Sequence, residues 1–219
     1  MTKVDIEGVR EAWLRDMSAE ARLWLAHIDR RVQEIVDSSK VEGYPLFEIG
    51  ELLFNVFSYL NWLARVHLRE ENYVKGKGMI TFLGELTHWP VEACEAFWFC
   101  IRNPVMHTGR ASAFDDHGRK SSDGWNLAAD LHPNLAFDPA EFDPEHFGVA
   151  AQDGCFAVAD PDTPGRVIFT YFFPGVRRKL EDALNIVVTG IENADHESVR
   201  ELYKINVKNL AFRVSGVSE

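Results

Sequence analysis

The chain has 219 residues, of which 46% are hydrophobic and nine are proline, which places it among globular proteins long enough for one large domain or two small ones. A formal charge of −11 argues against a protein that coats nucleic acid non-specifically, because phosphate would be repelled over most of the surface, yet it leaves room for a small basic pocket. Cys94, Cys100 and Cys155 make an odd count and form no CxxC pair, which argues against a disulfide framework or a zinc knuckle. No apolar signal core opens the chain and no run approaches the roughly 18 apolar residues of a membrane span, so a soluble cytoplasmic protein without a membrane anchor is expected.

From Gly8 to Ser38 the apolar residues Trp13, Leu14, Met17, Ala21, Trp24, Leu25, Ile28, Val32, Ile35 and Val36 recur in steps of three and four, which predicts one long amphipathic helix. Ser38-Ser39 and Gly43-Tyr44-Pro45 break it. A second helix, Leu46 to Glu70, carries Ile49, Leu53, Val56, Leu60 and Leu63 on one stripe, with Leu52, Phe54, Phe57, Tyr59 and Trp62 off it. An apolar face that wide must be covered on more than one side, by the bundle or by a subunit contact in which Phe54 and Phe57 take part. His67 reads most simply as a histidine satisfied by a neighbour.

Lys75-Gly76-Lys77-Gly78 marks a turn before a short helix, Met79 to Leu86; His88-Trp89-Pro90 ends that helix and starts the next, with Cys94, Phe97, Trp98 and Ile101 turned to the core. Beyond Arg110 the composition changes. Ala111 to Ser122 is polar and reads as irregular chain, and Asp138 to Asp162 is acidic without a single Lys or Arg. Strand-like pieces at Trp125 to Leu131, Cys155 to Ala159 and Arg166 to Phe172 predict a small antiparallel sheet, the last two joined by the hairpin loop Asp160-Pro161-Asp162-Thr163-Pro164-Gly165. Pro174 opens another helix, whose first turns hold Arg177-Arg178-Lys179; positive charge there opposes the helix dipole and points to an acidic neighbour or a phosphate. Asp195 can cap a final helix with Val199, Leu202, Tyr203, Asn206 and Leu210 on its buried side. The whole reads as one mainly α domain, 1–219, a helical bundle with residues 111–173 as a loop- and β-rich insertion before the C-terminal helices.

Chemistry concentrates in Phe97-Trp98-Phe99-Cys100-Ile101-Arg102-Asn103-Pro104-Val105-Met106-His107-Thr108-Gly109-Arg110. Asn103 suits an N-cap and Pro104 a first helical residue, so one helix is expected to end near Arg102 and another to begin at once, with His107 a turn in and close to Arg102. Unsatisfied N–H groups at a helix start attract anions, and an adjoining guanidinium adds forked donors matched to phosphate oxygens. The same residues admit a structural reading in which Arg102 pairs with Glu48 or Glu51, Asn103 only caps and His107 bonds a carbonyl. No GxxxxGK[ST], GxGxxG or HExxH occurs, and a convergence of His88, His107, Cys94 and Cys100 on a metal would need a coincidence of folding, so neither a metal nor a cofactor is expected.

Arg102-Asn103-Pro104-Val105-Met106-His107 resembles the Arg-x(4–6)-His motif of the HEPN superfamily, with Asn in the polar place directly after the Arg. Arg22…His27 and Arg110…His117 share the bare spacing, but only the Arg102 motif lies at a helix junction behind an aromatic helix. The resemblance covers Leu46 to Arg110 and implies a HEPN-like bundle, a homodimer that pairs two motifs in one cleft, and a metal-independent endoribonuclease of a defence or toxin kind. By the same resemblance Arg102, Asn103 and His107 would be catalytic on RNA and leave 2′,3′-cyclic phosphate ends, with Arg110 as a further phosphate contact. The family's inactive members imply the alternative, a non-catalytic module that binds a protein or nucleotide partner.

Overall fold

The computed structural model describes residues 5–42, 46–68, 77–102, 105–106, 114–120, 126–138, 154–159 and 162–201. Helix α1 (Ile6–Glu42) buries Met17, Ala21, Leu25, Ile28 and Ile35, the stripe its spacing predicts, and Asp5 caps it by accepting from Gly8 N at 3.1 Å. Helix α2 (Leu46–Leu68) buries Leu52, Leu53, Val56, Phe57, Tyr59, Leu60 and Leu63, so its broad apolar face is satisfied largely inside the fold. Phe54 is 46% exposed, but Phe57 is buried with its ring centroid 5.0 Å from that of Phe97, which makes it a core residue rather than a subunit contact.

Helix α3 (Lys77–Thr87) ends in a corner that polar groups define. Thr87 Oγ1 donates to Leu83 O at 2.6 Å and accepts from Trp89 N at 3.0 Å, while His88 takes a left-handed backbone with φ 55°. Pro90 then caps helix α4 (Val91–Ala96), its carbonyl accepting from Ala93 N and Cys94 N. The chain continues without interruption into a π-helical turn, Phe97–Arg102. After the β region come α5 (Phe173–Glu192), with Pro in its first turn, and α6 (residues 196–201), which Asp195 caps through Ser198 N at 2.7 Å. The positions Leu202 to Leu210 assigned to the final helix lie outside the described residues.

Among the described residues four strands, β1 (Phe114–Lys120), β2 (Asn126–Leu131), β3 (Cys155–Ala159) and β4 (Arg166–Tyr171), form one sheet in the order β1-β2-β4-β3. The β3–β4 hairpin pairs Cys155 with Tyr171 and turns through Gly165 at φ 81°, as its loop composition predicts. The sheet differs from the expected antiparallel one in its centre, where β2 and β4 run parallel with Leu127 opposite Val167 and Ala129 opposite Phe169. A parallel pair needs a long connection, and residues 132–165 supply it, carrying β3 on the way. Leu127, Ala128 and Ala129 are buried in succession, the pattern of a strand covered on both faces. β1 falls where irregular chain is expected: a charged segment can still pair at an edge, where polar side chains are an asset.

The fold is therefore a mainly helical bundle with a small mixed sheet set before its C-terminal helices. Helices α1, α2 and α5 pack on one another, and the sheet lies against α4 and the π turn through β2. No helix among the described residues is long and apolar enough to cross a membrane.

Candidate functional site

The π turn is anchored from inside. Phe97 meets three rings, Phe57 at 5.0 Å, Trp89 at 5.5 Å and Tyr171 at 4.8 Å between centroids, and Trp89 and Tyr171 also touch at 5.1 Å. The Tyr171 hydroxyl donates to Ala93 O, tying β4 to α4, and Cys100 Sγ lies 3.8 Å from Leu127 O of β2. A turn wedged in this way has little freedom to unwind, because packed interiors leave no room for rotamer exchange without moving neighbours.

Arg102 closes the π turn, half-buried at the edge of the core. Its guanidinium carbon sits 4.5 Å from the centroid of the Trp98 ring, well inside the range of a cation–π contact. Glu51, one of the carboxylates that a structural reading would give to Arg102, pairs with Arg31 at 2.9 Å. Val105, buried, and Met106, half-buried, have helical backbone. Asn103, His107 and Arg110 lie outside the described residues, and so do the cap assigned to Asn103 and the convergence of His107 on Arg102.

The sequence signals that compete with this motif resolve into other contacts. His67 binds Glu85 at 2.8 Å and packs on the Phe82 ring at 5.4 Å, a satisfied rim histidine. His27 binds Arg30 at 2.8 Å, three residues along the same helix. The basic group at the start of α5 meets carboxylates: Arg177 holds Asp29 through two bonds of 2.5 and 2.9 Å and Glu181 at 3.2 Å, Arg178 binds Asp138, and Lys179 lies 3.5 Å from Asp182. Of the two explanations for that misplaced charge, the acidic neighbour is the one seen.

Cys94, Cys100 and Cys155 are free thiols in the core. Burial pushes the Cys94 thiol up to about 12, partly offset by a hydrogen bond with Thr87, and pushes Cys155 up to about 12, partly offset by one with Tyr171. Thiols so held stay protonated and are poor nucleophiles and metal ligands at neutral pH. His88 is exposed while Cys94 and Cys100 are buried, and no metal-holding group of three His, Cys, Asp or Glu occurs among the described residues.

Trp98 is a core residue, as its place in the apolar run predicts, and its spacing of four from Arg102 also signals the contact between them, because residues one helical turn apart meet on the same face. No family model matches the chain, and neither the curated proteins nor the solved structures contain a match to it.

Proposed function

We propose that the chain is a HEPN-like, metal-independent endoribonuclease that works as a homodimer, with Arg102, Asn103 and His107 of each copy facing a shared RNA cleft. The observation that carries this reading is Arg102 itself: a guanidinium at the edge of the core, at the end of a fixed π turn and over a buried indole, directly ahead of Asn103-Pro104. π turns of this kind recur at functional sites because they displace one residue from the helical frame.

In the proposed reaction the RNA 2′-hydroxyl attacks the adjacent phosphorus. His107 of one copy takes the 2′-proton, and the imidazolium of the second copy's His107 delivers a proton to the departing 5′-oxygen, so the P–O5′ bond breaks as the cyclic ester closes. Arg102 stabilises the charge that builds on the phosphorane oxygens, Asn103 orients the phosphate or the imidazole, and Arg110 adds a phosphate contact. The products are a 2′,3′-cyclic phosphate and a 5′-hydroxyl.

Single-stranded RNA incubated with the purified protein in EDTA should be cut to 2′,3′-cyclic phosphate ends, and His107→Ala should lower the rate by about 10²-fold or more. An unchanged rate in that variant would sink the assignment. A second reading is favoured by Phe54, a large aromatic that is 46% exposed on the same helix that buries Leu53, Val56 and Phe57: a non-catalytic helical module that binds a protein partner. On that reading RNA stays intact, and His107→Ala changes stability alone.

A further inference from the structure

We propose that the outer edge of β3 is a docking site for an extended, basic peptide segment of a partner protein, which would add a strand to the sheet. The site rests on the sheet and not on Arg102, so it holds for an enzyme and for a binding module alike. The hydrogen-bond phase of β4 places it. Asn126 N donates to Gly165 O at 2.8 Å and His132 N to Tyr171 O at 2.9 Å, so the parallel ladder with β2 uses Val167, Phe169 and Tyr171 of β4. The alternate residues of β4 turn to β3, in keeping with the bond from Phe172 N to Gly154 O at 2.8 Å. On β3 the backbone groups of Phe156 and Val158 therefore face β4, and those of Cys155, Ala157 and Ala159 face outward.

Cys155 is buried, but Ala157 and Ala159 are exposed, and among the described residues no backbone group pairs with either of them on that side. Methyl side chains leave the backbone open to close approach, and main-chain bonds are what hold an added strand. Charge sets its character. Asp160 follows Ala159 directly, Asp153 lies two residues before Cys155, Asp162 is exposed in the hairpin loop, and residues 138–162 hold no Lys or Arg. A second copy of β3 would bring the same carboxylates against these, and pairing about Ala157 would require the buried Cys155 to open to the second copy's Ala159. A lysine- or arginine-rich strand instead meets opposite charge at both ends. Like charge thus guards the edge against its own kind and leaves it open to a basic partner.

The test uses the full-length protein and a short synthetic peptide that alternates lysine with valine or threonine, followed by hydrogen–deuterium exchange at single amides and by a binding titration. Without peptide, the Ala157 and Ala159 amides should exchange about tenfold or more faster than those of Phe156 and Val158, and saturating peptide should slow them by about tenfold or more. Raising the salt from about 0.05 M to about 0.5 M should weaken binding by about tenfold, and the same peptide with glutamate in place of lysine should not bind. Ala157→Pro removes an outward N–H that the β4 ladder does not use, and should weaken binding by about tenfold or more. Methylating the backbone nitrogens of the peptide should give the same loss on the unaltered protein, which carries the test if that variant fails to fold. Binding that leaves the two amides unprotected, equal affinity for the glutamate peptide, or no binding at all overturns the proposal. So does slow exchange of both amides without peptide: a second copy holds the edge if the slowing grows with protein concentration, and another stretch of this chain holds it if it does not.

Discussion

Where the sheet meets the helices, Tyr171, Phe97, Trp89 and Phe57 touch ring to ring, and the Tyr171 hydroxyl reaches across to Ala93 O. Where α1 meets α2 and α5, a comparable apolar stripe is flanked by charged forks: Arg31 holds Glu34 and Glu51, and Arg177 holds Asp29 and Glu181. The inner seam depends on close shape, and any added atom must displace a ring or a backbone. The outer seam depends on flexible side chains whose carboxylates remain half in water, so it can adjust to change. It is the inner seam that fixes the π turn, which Arg102 closes.

The largest effect is expected from one methyl group in the inner seam. Gly154, at the entrance to β3, has φ 86° and accepts a bond from Phe172 N at 2.8 Å; a Cβ there would lie 2.6 Å from Gly175 Cα, at the start of α5. Gly154→Ala thus combines a left-handed backbone strain of about 1–2 kcal/mol with overpacking of about 1–3 kcal/mol against backbone that cannot rotate away. Urea denaturation should show a loss of about 3 kcal/mol or more. A loss below about 1 kcal/mol would mean that the inner seam yields as readily as the outer one.

The difference between the seams also explains what was legible in the sequence. The helices of the outer seam follow from local periodicity: α1 and α2 appear within a few residues of their marked ends, and Asp195 caps where it is expected to. The inner seam is assembled from distant pieces. Nothing local to Asn126–Leu131 says that it lies parallel to Arg166–Tyr171, since strand order depends on what the long connection does. Phe114–Lys120 lacks the apolar alternation of a strand and is ordered by its partner β2. For the site, the apolar helix before Arg102 is readable, whereas a π turn depends on the rings that wedge it and has no periodic signature.

The inner seam should also show itself at alkaline pH. Cys94 and Cys155 are pushed from an ordinary thiol value of 9.0 to about 12 by burial. Above pH 9 the unfolded chain therefore loses these protons before the native one does. The stability they confer is complete below pH 9 and is lost as pH rises from 9 towards 12. Each thiol contributes a slope of up to about 1.4 kcal/mol per pH unit, so near pH 10 the pair should remove about 2–3 kcal/mol. Urea denaturation across this range should show the decline, and Cys94→Ala with Cys155→Ala should flatten it relative to pH 8. An alkaline limb unchanged by both substitutions would place these thiols in contact with water and the seam open at β3.

The smallest effect belongs to the outer seam, and its salt dependence is what separates the two. Arg177 is 19% exposed, but its partners Asp29 and Glu181 are 51% and 60% exposed and can rehydrate when the guanidinium is removed. Arg177→Met keeps the apolar stem that packs beside α1 and also relieves a positive charge at the start of α5, which offsets the lost pairs by about 0.3–1 kcal/mol. The net loss should be about 1 kcal/mol in urea at low ionic strength. Near 1 M salt, where the screening length is about 3 Å, the difference between variant and wild type should shrink towards zero. A loss of about 3 kcal/mol that persists in salt would instead identify a desolvated pair, whose removal strands a buried charge, and α1 would then be fixed as rigidly as the π turn.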